Sequence, residues 1–274
     1  MQGYLRILQT LALGALSLAI ISCGQEKPQK DVISLNYEKN QSVSHPEAIE
    51  KYKKLDDAFA AARLLEYGQT DAGKPLHLFV ISQDRDFNPA TVQQKDKRVI
   101  LINNGVHPGE PCGMDASLQF ANDILLNKDG MGEYLENTVV CIVPVYSVGG
   151  ALKRTPYIRT NQDGPTERGR RGNRRNLDLN RDYAKQDSKN AQSLASLFQA
   201  WQPDVFLDTH TTNGSDHQYT ITLIPVQPST FPPSLESFLR DKMLPALYRE
   251  MRKTPYEMIP YVMFNNRNPE NGIV

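Results

Sequence analysis

Apolar and polar positions alternate along this chain in blocks that predict both strands and helices. Val99, Ile100, Leu101 and Ile102 are four aliphatic residues in a row, three of them β-branched, which suits a strand buried on both faces. Residues 137–145 form a second apolar strand with Cys141 at its centre. Residues 204–207 and 219–224 read as short strands. Residues 64–67 and 76–82 flank Thr70-Asp71-Ala72-Gly73-Lys74-Pro75, which predicts a hairpin. His77 falls inside its second strand and is expected to pack or face solvent.

Helical spacing appears in four places. His45-Pro46-Glu47 opens one helix, with Pro in the first turn and apolar positions at Ala48, Ile49, Tyr52 and Leu55. Residues 114–126 place Met114, Leu118, Ala121 and Leu125 on one face. Residues 191–198 form a third segment and 233–253 a fourth, with Pro245 expected to break or kink it. Residues 84–97 are polar and read as a loop. Residues 147–175 are rich in Gly, Arg and Asn without periodicity, and a loop of that length in a compact domain is usually functional or disordered. No internal repeat is found. Alternating strands and helices make the class α/β.

The chain has 274 residues, and its 31 Lys plus Arg balance 31 Asp plus Glu. Net charge therefore gives no pull towards nucleic acid or an anionic membrane. Three cysteines, Cys23, Cys112 and Cys141, are too few for a disulfide scaffold and match no cysteine zinc motif. Cys112 and Cys141 could pair or remain two free thiols. Arg6 and the short apolar run 11–21 read as a signal peptide. Ile20-Ile21-Ser22-Cys23 resembles the lipobox of bacterial lipoproteins, although Ile21 stands where a small residue is commoner. That resemblance implies cleavage after residue 22, a lipidated Cys23 and an exported, membrane-anchored protein at the periplasm or cell surface. Contact with membrane would be through the lipid alone. The expected organisation is a signal peptide over 1–22, a tether over 23–45 and a folded domain over 46–274.

Candidate chemistry sits at strand ends. The loop after Val99–Ile102 carries His107 and Glu110, three apart, among Gly105, Pro108, Gly109 and Pro111. Open α/β sheets place ligands at the carboxyl ends of their strands. An imidazole and a carboxylate there, with one more His, would make the His₂Glu set of a catalytic zinc site. Asp208-Thr209-His210 repeats the layout, so His210 is the best third ligand. His217, in a Gly/Ser/Asp loop, is its competitor, and a hydrogen-bonded strand-end histidine is the alternative. Asp208 and His210 share a side in extended chain. The third cluster runs from Arg171 to Tyr183 through Arg174, Asp178, Asn180 and Arg181. It reads as a solvated basic loop, a phosphate patch or a grip for a carboxylate, for which Arg offers bidentate geometry. Asp178 and Asn180 alternate and would share a side in extended chain.

Taken together, His107-Pro108-Gly109-Glu110, Leu177-Asp178-Leu179-Asn180-Arg181 and Asp208-Thr209-His210, in this order, resemble the zinc carboxypeptidases of the carboxypeptidase A type. The resemblance implies a mixed, mostly parallel central sheet with helices on both faces. It implies that His107, Glu110 and His210 hold Zn2+, and that Asn180 and Arg181, with Arg174 nearby, bind a peptide's terminal carboxylate. Arg171 would stabilise the oxyanion, with Arg174 a weaker substitute. Asp178 would hydrogen-bond a ligand histidine; for Asp208, its place two residues before His210 leaves open a hydrogen-bond partner or merely a polar strand end. The implied reaction is removal of C-terminal residues from peptides by zinc-activated water. Two features depart from the family. Thr211-Thr212 follows the last His where digestive members carry Ser-Tyr. The family's general-base Glu and substrate Tyr are not found among Glu236, Glu250, Glu257, Glu270, Tyr256 and Tyr261. The expectation is therefore an incomplete C-terminal part and poor turnover. A zinc-dependent deacylase or amidase of the same fold, and a non-catalytic peptide-binding lipoprotein, are the alternatives.

Overall fold

The computed structural model describes residues 30–159, 162, 164–211 and 218–261. The signal segment, Cys23, His217 and Glu270 lie outside the described residues. The chain divides into two compact units, the first ending at Thr212 and the second starting at Asn213.

In the first unit, helix α1 (His45–Ala58) opens on Ser44, whose side chain and backbone exchange hydrogen bonds with Glu47 in a capping box. Strands β1 (Ala62–Gln69) and β2 (Pro75–Ile81) pair antiparallel through a turn closed by Thr70 N–H on the Lys74 carbonyl at 3.0 Å. Residues 84–97 differ from the expected loop. They hold a short helix, α2 (Pro89–Gln94), capped by the Asn88 side chain and anchored by buried Val92. Next come β3 (Arg98–Asn103), α3 (Cys112–Leu125), β4 (Thr138–Val143), the one-turn α4 (Val148–Ala151), the two-residue strands β5 (Arg154–Thr155) and β6 (Arg168–Gly169), α5 (Lys189–Trp201) and β7 (Val205–Asp208). The central sheet runs β1-β2-β4-β3-β7. It is mixed: β2 joins β1 and β4 antiparallel, whereas β3 runs parallel to both β4 and β7.

Both faces of the sheet are covered, and residue alternation assigns each side chain to one of them. Phe79, Ile81, Ile102, Val140 and Ile142 pack with Tyr52 and Leu55 of α1 and Leu118 and Ala121 of α3. Leu78, Val80, Val99, Leu101, Val139, Cys141 and Val143 pack with Leu194, Leu197 and Trp201 of α5. A strand sandwiched this way has no solvent face, which is why β3 reads as an unbroken aliphatic run. Truncating a fully buried leucine such as Leu101 to alanine would cost about 2–5 kcal/mol. Cys141 is buried and Cys112 exposed, and both are free thiols.

Residues 30–44, read from sequence as the end of a tether, lie against the first of these faces. Ile33 and Val43 are buried. Val32 N–H donates to Asn122 at 3.1 Å and Val43 N–H to Asp115 at 3.0 Å. The stretch 147–175 is also ordered where its residues are described. Arg154 donates to the carbonyls of Ser42, Val43 and Glu167, and Arg168 to those of Pro156 and Gly164. Arginine donors, rather than an apolar stripe, satisfy the backbone here.

In the second unit, β8 (Ile221–Leu223) pairs in parallel with β9 (Met258–Pro260). Between them run α6 (Pro233–Phe238), a turn of π-helix over Leu239–Met243 and α7 (Leu244–Met251). The helix is re-registered ahead of Pro245 rather than broken, since the π turn accommodates the residue that has no N–H to donate. No described helix is long and apolar enough to cross a membrane.

Candidate metal centre

The centre is built at the carboxyl ends of two neighbouring parallel strands. Where β3 ends at Asn103, residues 104–111 continue as a fully buried loop. Gly105 starts it at φ +65°, a left-handed conformation, and a Cβ there would meet Met114 and Val145. Asn104 ties the loop to Ser117 at 3.0 Å and to Thr209 at 2.9 Å. Glu110 N–H donates to the His107 carbonyl at 2.8 Å, closing a turn that brings both side chains to one side. β7 pairs with β3 so that Asp208 stands opposite Asn103. Asp208-Thr209-His210 therefore emerges beside the loop. Gly113 permits this approach, because a Cβ there would overlap the Thr209 side chain.

His107, Glu110 and His210 each offer a ligand atom, all within 4.8 Å of one another. His107 Nδ1 lies 3.2 Å from Glu110 Oε1, and His210 Nδ1 lies 3.2 Å from Oε2. The opposite nitrogens face carboxylates. His107 Nε2 is 3.0 Å from Asp178 Oδ1, and His210 Nε2 is 3.2 Å from Asp208 Oδ2. An ionised carboxylate only accepts, so with a cation at the inward Nδ1 atoms each Nε2 would keep its proton and donate it outward. The imidazole centres are 5.1 Å apart. Two histidines sharing a tetrahedral zinc, each with its nitrogen about 2.0–2.1 Å from the ion, have ring centres about 5 Å apart. The donor set fits zinc by chemistry and by spacing.

Electrostatics agree with the geometry. Burial opposes ionisation of Glu110, but hydrogen bonds from His107, His210 and the Thr211 N–H outweigh it and hold the carboxyl well below the usual range. Burial likewise works against the charge of Asp178, while His107 and Arg171 prevail and lower its pKa. Asp208 and then Glu110 push His210 up to about 9 despite its burial. A cation at Nδ1 must therefore displace a proton from His210.

Arg171 stands beside this set. Its Nε and Nη2 lie 3.1 and 3.0 Å from Asp178 Oδ2, and its Nη1 is 3.8 Å from Glu110 Oε1. Its side chain is 40% exposed, so it can meet a solute. Asn180 and Arg181 belong to a 3-10 turn, Leu179–Arg181, rather than to extended chain. Asp178 caps the turn by accepting from Asn180 N–H at 3.0 Å, and buried Leu179 pins it. Asp178 thus touches His107, Arg171 and the Asn180 N–H of the turn that carries Asn180 and Arg181. Arg181 is exposed, and its guanidinium donates to the Asn180 carbonyl at 3.0 Å. Arg174 is exposed, and among the described residues it makes no hydrogen bond to the three candidate ligands. Glu236, Glu250, Glu257, Tyr256 and Tyr261 belong to the second unit.

Sequence reasoning missed two groups. Arg159 Nη2 donates to Glu110 Oε1 at 2.8 Å, and Thr211 N–H donates to Oε2 at 3.1 Å. Neither carries a signal. Arg159 lies in the aperiodic stretch among other arginines, and a main-chain donor has no residue type.

The chain is similar to known carboxypeptidases in sequence and in fold. Carboxypeptidase 2 of Trichophyton tonsurans is 24% identical over 111 residues, which is 40% of this chain and 18% of that protein. The metallo-carboxypeptidase of Burkholderia cenocepacia superposes with a TM-score of 0.58 at 16% identity, covering 80% of this chain and 54% of the other. Carboxypeptidase A of Helicoverpa armigera gives 0.56 at 15%, covering 93% and 64%. The chain matches about a fifth of the Trichophyton protein's length and about half of the Burkholderia chain. At such identities the superpositions establish the fold, a mixed sheet with helices on both faces. The zinc carboxypeptidase family model matches residues 50–213, well over half of the chain and inclusive of all three motifs, so the chain belongs to the zinc carboxypeptidase family.

Proposed function

We propose that this chain is a metallocarboxypeptidase module that holds zinc through His107, Glu110 and His210 and takes peptides by their free C-terminal carboxylate. The observation that carries the reading is the inward pair of imidazole Nδ1 atoms, each 3.2 Å from an oxygen of buried Glu110. A zinc ion bound there supplies a Lewis acid that polarises a carbonyl and acidifies water to a pKa of about 7. The remaining work falls to the chain's own residues. Asp178 and Asp208 accept the Nε2 protons and so fix which nitrogen of each imidazole is free. Arg171, beside Glu110 and half-exposed, receives the negative charge that develops on the scissile carbonyl oxygen; one such donor contributes about 3–4 kcal/mol in the transition state. Asn180 and Arg181, on the turn that Asp178 caps, grip the substrate's terminal carboxylate.

The test uses the zinc-loaded chain with paired peptides that differ only in a free or amidated C-terminus. Losing a charge-assisted bond to the carboxylate costs about 1.5–3 kcal/mol, so the free form is expected to bind about 10–100-fold more tightly. Cleavage, measured in the same samples, is expected for the free form alone. Equal binding and equal handling of both peptides would refute the carboxypeptidase reading and favour an amidase or deacylase.

A further inference from the structure

One arginine runs beneath the candidate ligands. Arg159 is only 9% exposed, and its Nη2 reaches Glu110 Oε1 at 2.8 Å. Its aliphatic stem passes against the loop at Gly109. A Cβ on Gly109 would come within 3.1 Å of Arg159 Cγ, 3.4 Å of Cδ and 2.7 Å of the Gly169 carbonyl oxygen. The glycine of His-Pro-Gly-Glu thus clears the path by which this side chain gets to the carboxylate. At the other oxygen, Thr211 N–H donates to Oε2 at 3.1 Å. His107 and His210 also face Glu110, but through the Nδ1 atoms that a metal would take. With a metal bound, Arg159 and Thr211 are the hydrogen-bond donors left to orient Glu110 among the described residues, with Arg171 Nη1 farther off at 3.8 Å.

We propose that Arg159 is a positioning residue of the metal centre, clamping Oε1 of Glu110 so that the carboxylate meets a cation in one preset orientation. The inference rests on the metal-centre reading above. Arg159 differs in role from Arg171. The latter is 40% exposed and 3.8 Å from Glu110 Oε1, whereas Arg159 is 9% exposed and bonded to that oxygen at 2.8 Å. Outer partners of metal ligands typically contribute 10–100-fold to affinity. Charge alone predicts the opposite sign, because a guanidinium beside a ligand repels the ion and its removal would tighten binding. The direction of the effect therefore separates positioning from simple electrostatics.

The experiment measures zinc affinity of the metal-free full chain by competition with a chromophoric chelator, and the visible spectrum of the cobalt(II) form. Arg159→Met is expected to bind zinc about 10–100-fold more weakly and to change the cobalt spectrum, which reports ligand geometry. Arg159→Lys keeps a donor and the charge but loses the planar fork, so a smaller loss in the same direction is expected. Unchanged or tighter zinc in Arg159→Met, with an unchanged cobalt spectrum, overturns the positioning role and leaves the metal centre standing. Should Arg159→Met fail to fold by circular dichroism, parental affinity and spectrum in Arg159→Lys overturn it instead. Failure of the unaltered chain to bind zinc overturns both readings.

Discussion

Asp178→Asn removes one charge while keeping the side-chain shape. The Asp178 carboxylate meets His107 Nε2 and Asn180 N–H, each at 3.0 Å, through Oδ1. Through Oδ2 it meets Arg171 Nε at 3.1 Å and Nη2 at 3.0 Å. An amide has a single oxygen. If that oxygen takes the Oδ1 place, the new NH₂ confronts the Arg171 donors and both charge-assisted bonds are lost. If it takes the Oδ2 place, the NH₂ confronts the His107 Nε2 proton and drives the ring towards the tautomer whose Nδ1 cannot bind a metal. A hydrogen bond to a charged group contributes about 1.5–3 kcal/mol when buried. Asp178 is 31% and Arg171 40% exposed, so solvent screening lowers the ion-pair part of this towards about 1 kcal/mol. The combined cost is about 1–3 kcal/mol, and the part that reaches the metal weakens zinc by about 10–100-fold. The assay is chelator competition on metal-free parent and variant. Peptide cleavage, run in parallel, should lose kcat more than it raises KM, because Arg171 is released. Zinc affinity within about twofold of the parent would refute the argument that Asp178 sets the His107 ring.

Two further predictions concern buried ionisable groups away from the centre. Burial first, then the nearby charges of His77 and Lys74, lowers His45 from 6.5 to about 4. Its neutral form is the one the fold tolerates, so stability is full above pH 6.5 and is lost as pH falls towards 4; by pH 5 the loss is about 2 kcal/mol. His45→Gln should flatten that part of the urea-midpoint profile between pH 8 and 5, and an unaltered profile would refute the assignment. Asp115 behaves in the opposite sense, since burial raises it from 3.8 to about 6 against the pull of the Val43 N–H. Its contribution is full below pH 3.8 and lost as pH rises through 6. Asp115→Asn should therefore be about 1–3 kcal/mol more stable than the parent at pH 8, with the gap closing by pH 4; a gap independent of pH would refute it.

Much of the fold was legible because burial leaves a periodic trace. The aliphatic run of β3 and the seven-residue reach from Ala48 to Leu55 in α1 follow from facing a core. Other features left none. α2 depends on the Asn88 cap and a single buried valine, too little for a helical stripe. In the described part of the 147–175 stretch, Arg154 and Arg168 donate to carbonyls, and composition alone cannot tell such arginines from solvated ones. Of the candidate site, His107, Glu110 and His210 were readable because ligand chemistry restricts residue type and both motifs follow strand ends. Asp178 was readable through the motif over residues 177–181, and Arg171 through the Arg- and Asn-rich cluster that leads into it. The turn at Leu179–Arg181 was not, because Asp178 and Asn180 alternate in sequence as they would in a strand. Arg159 was invisible because its role depends on the chain folding back beneath a loop 49 residues earlier.

The central claim is that His107, Glu110 and His210 form one metal centre. It is tested most directly by zinc stoichiometry, measured by titrating the metal-free chain and comparing it with His210→Ala. The account predicts about one tightly held zinc per chain, and a site in the variant that loses zinc to a chelator readily, since a His₂Glu set reduced to two ligands no longer makes a catalytic-type site. A parent chain that takes up no zinc, or a variant that holds it as tightly as the parent, would contradict it.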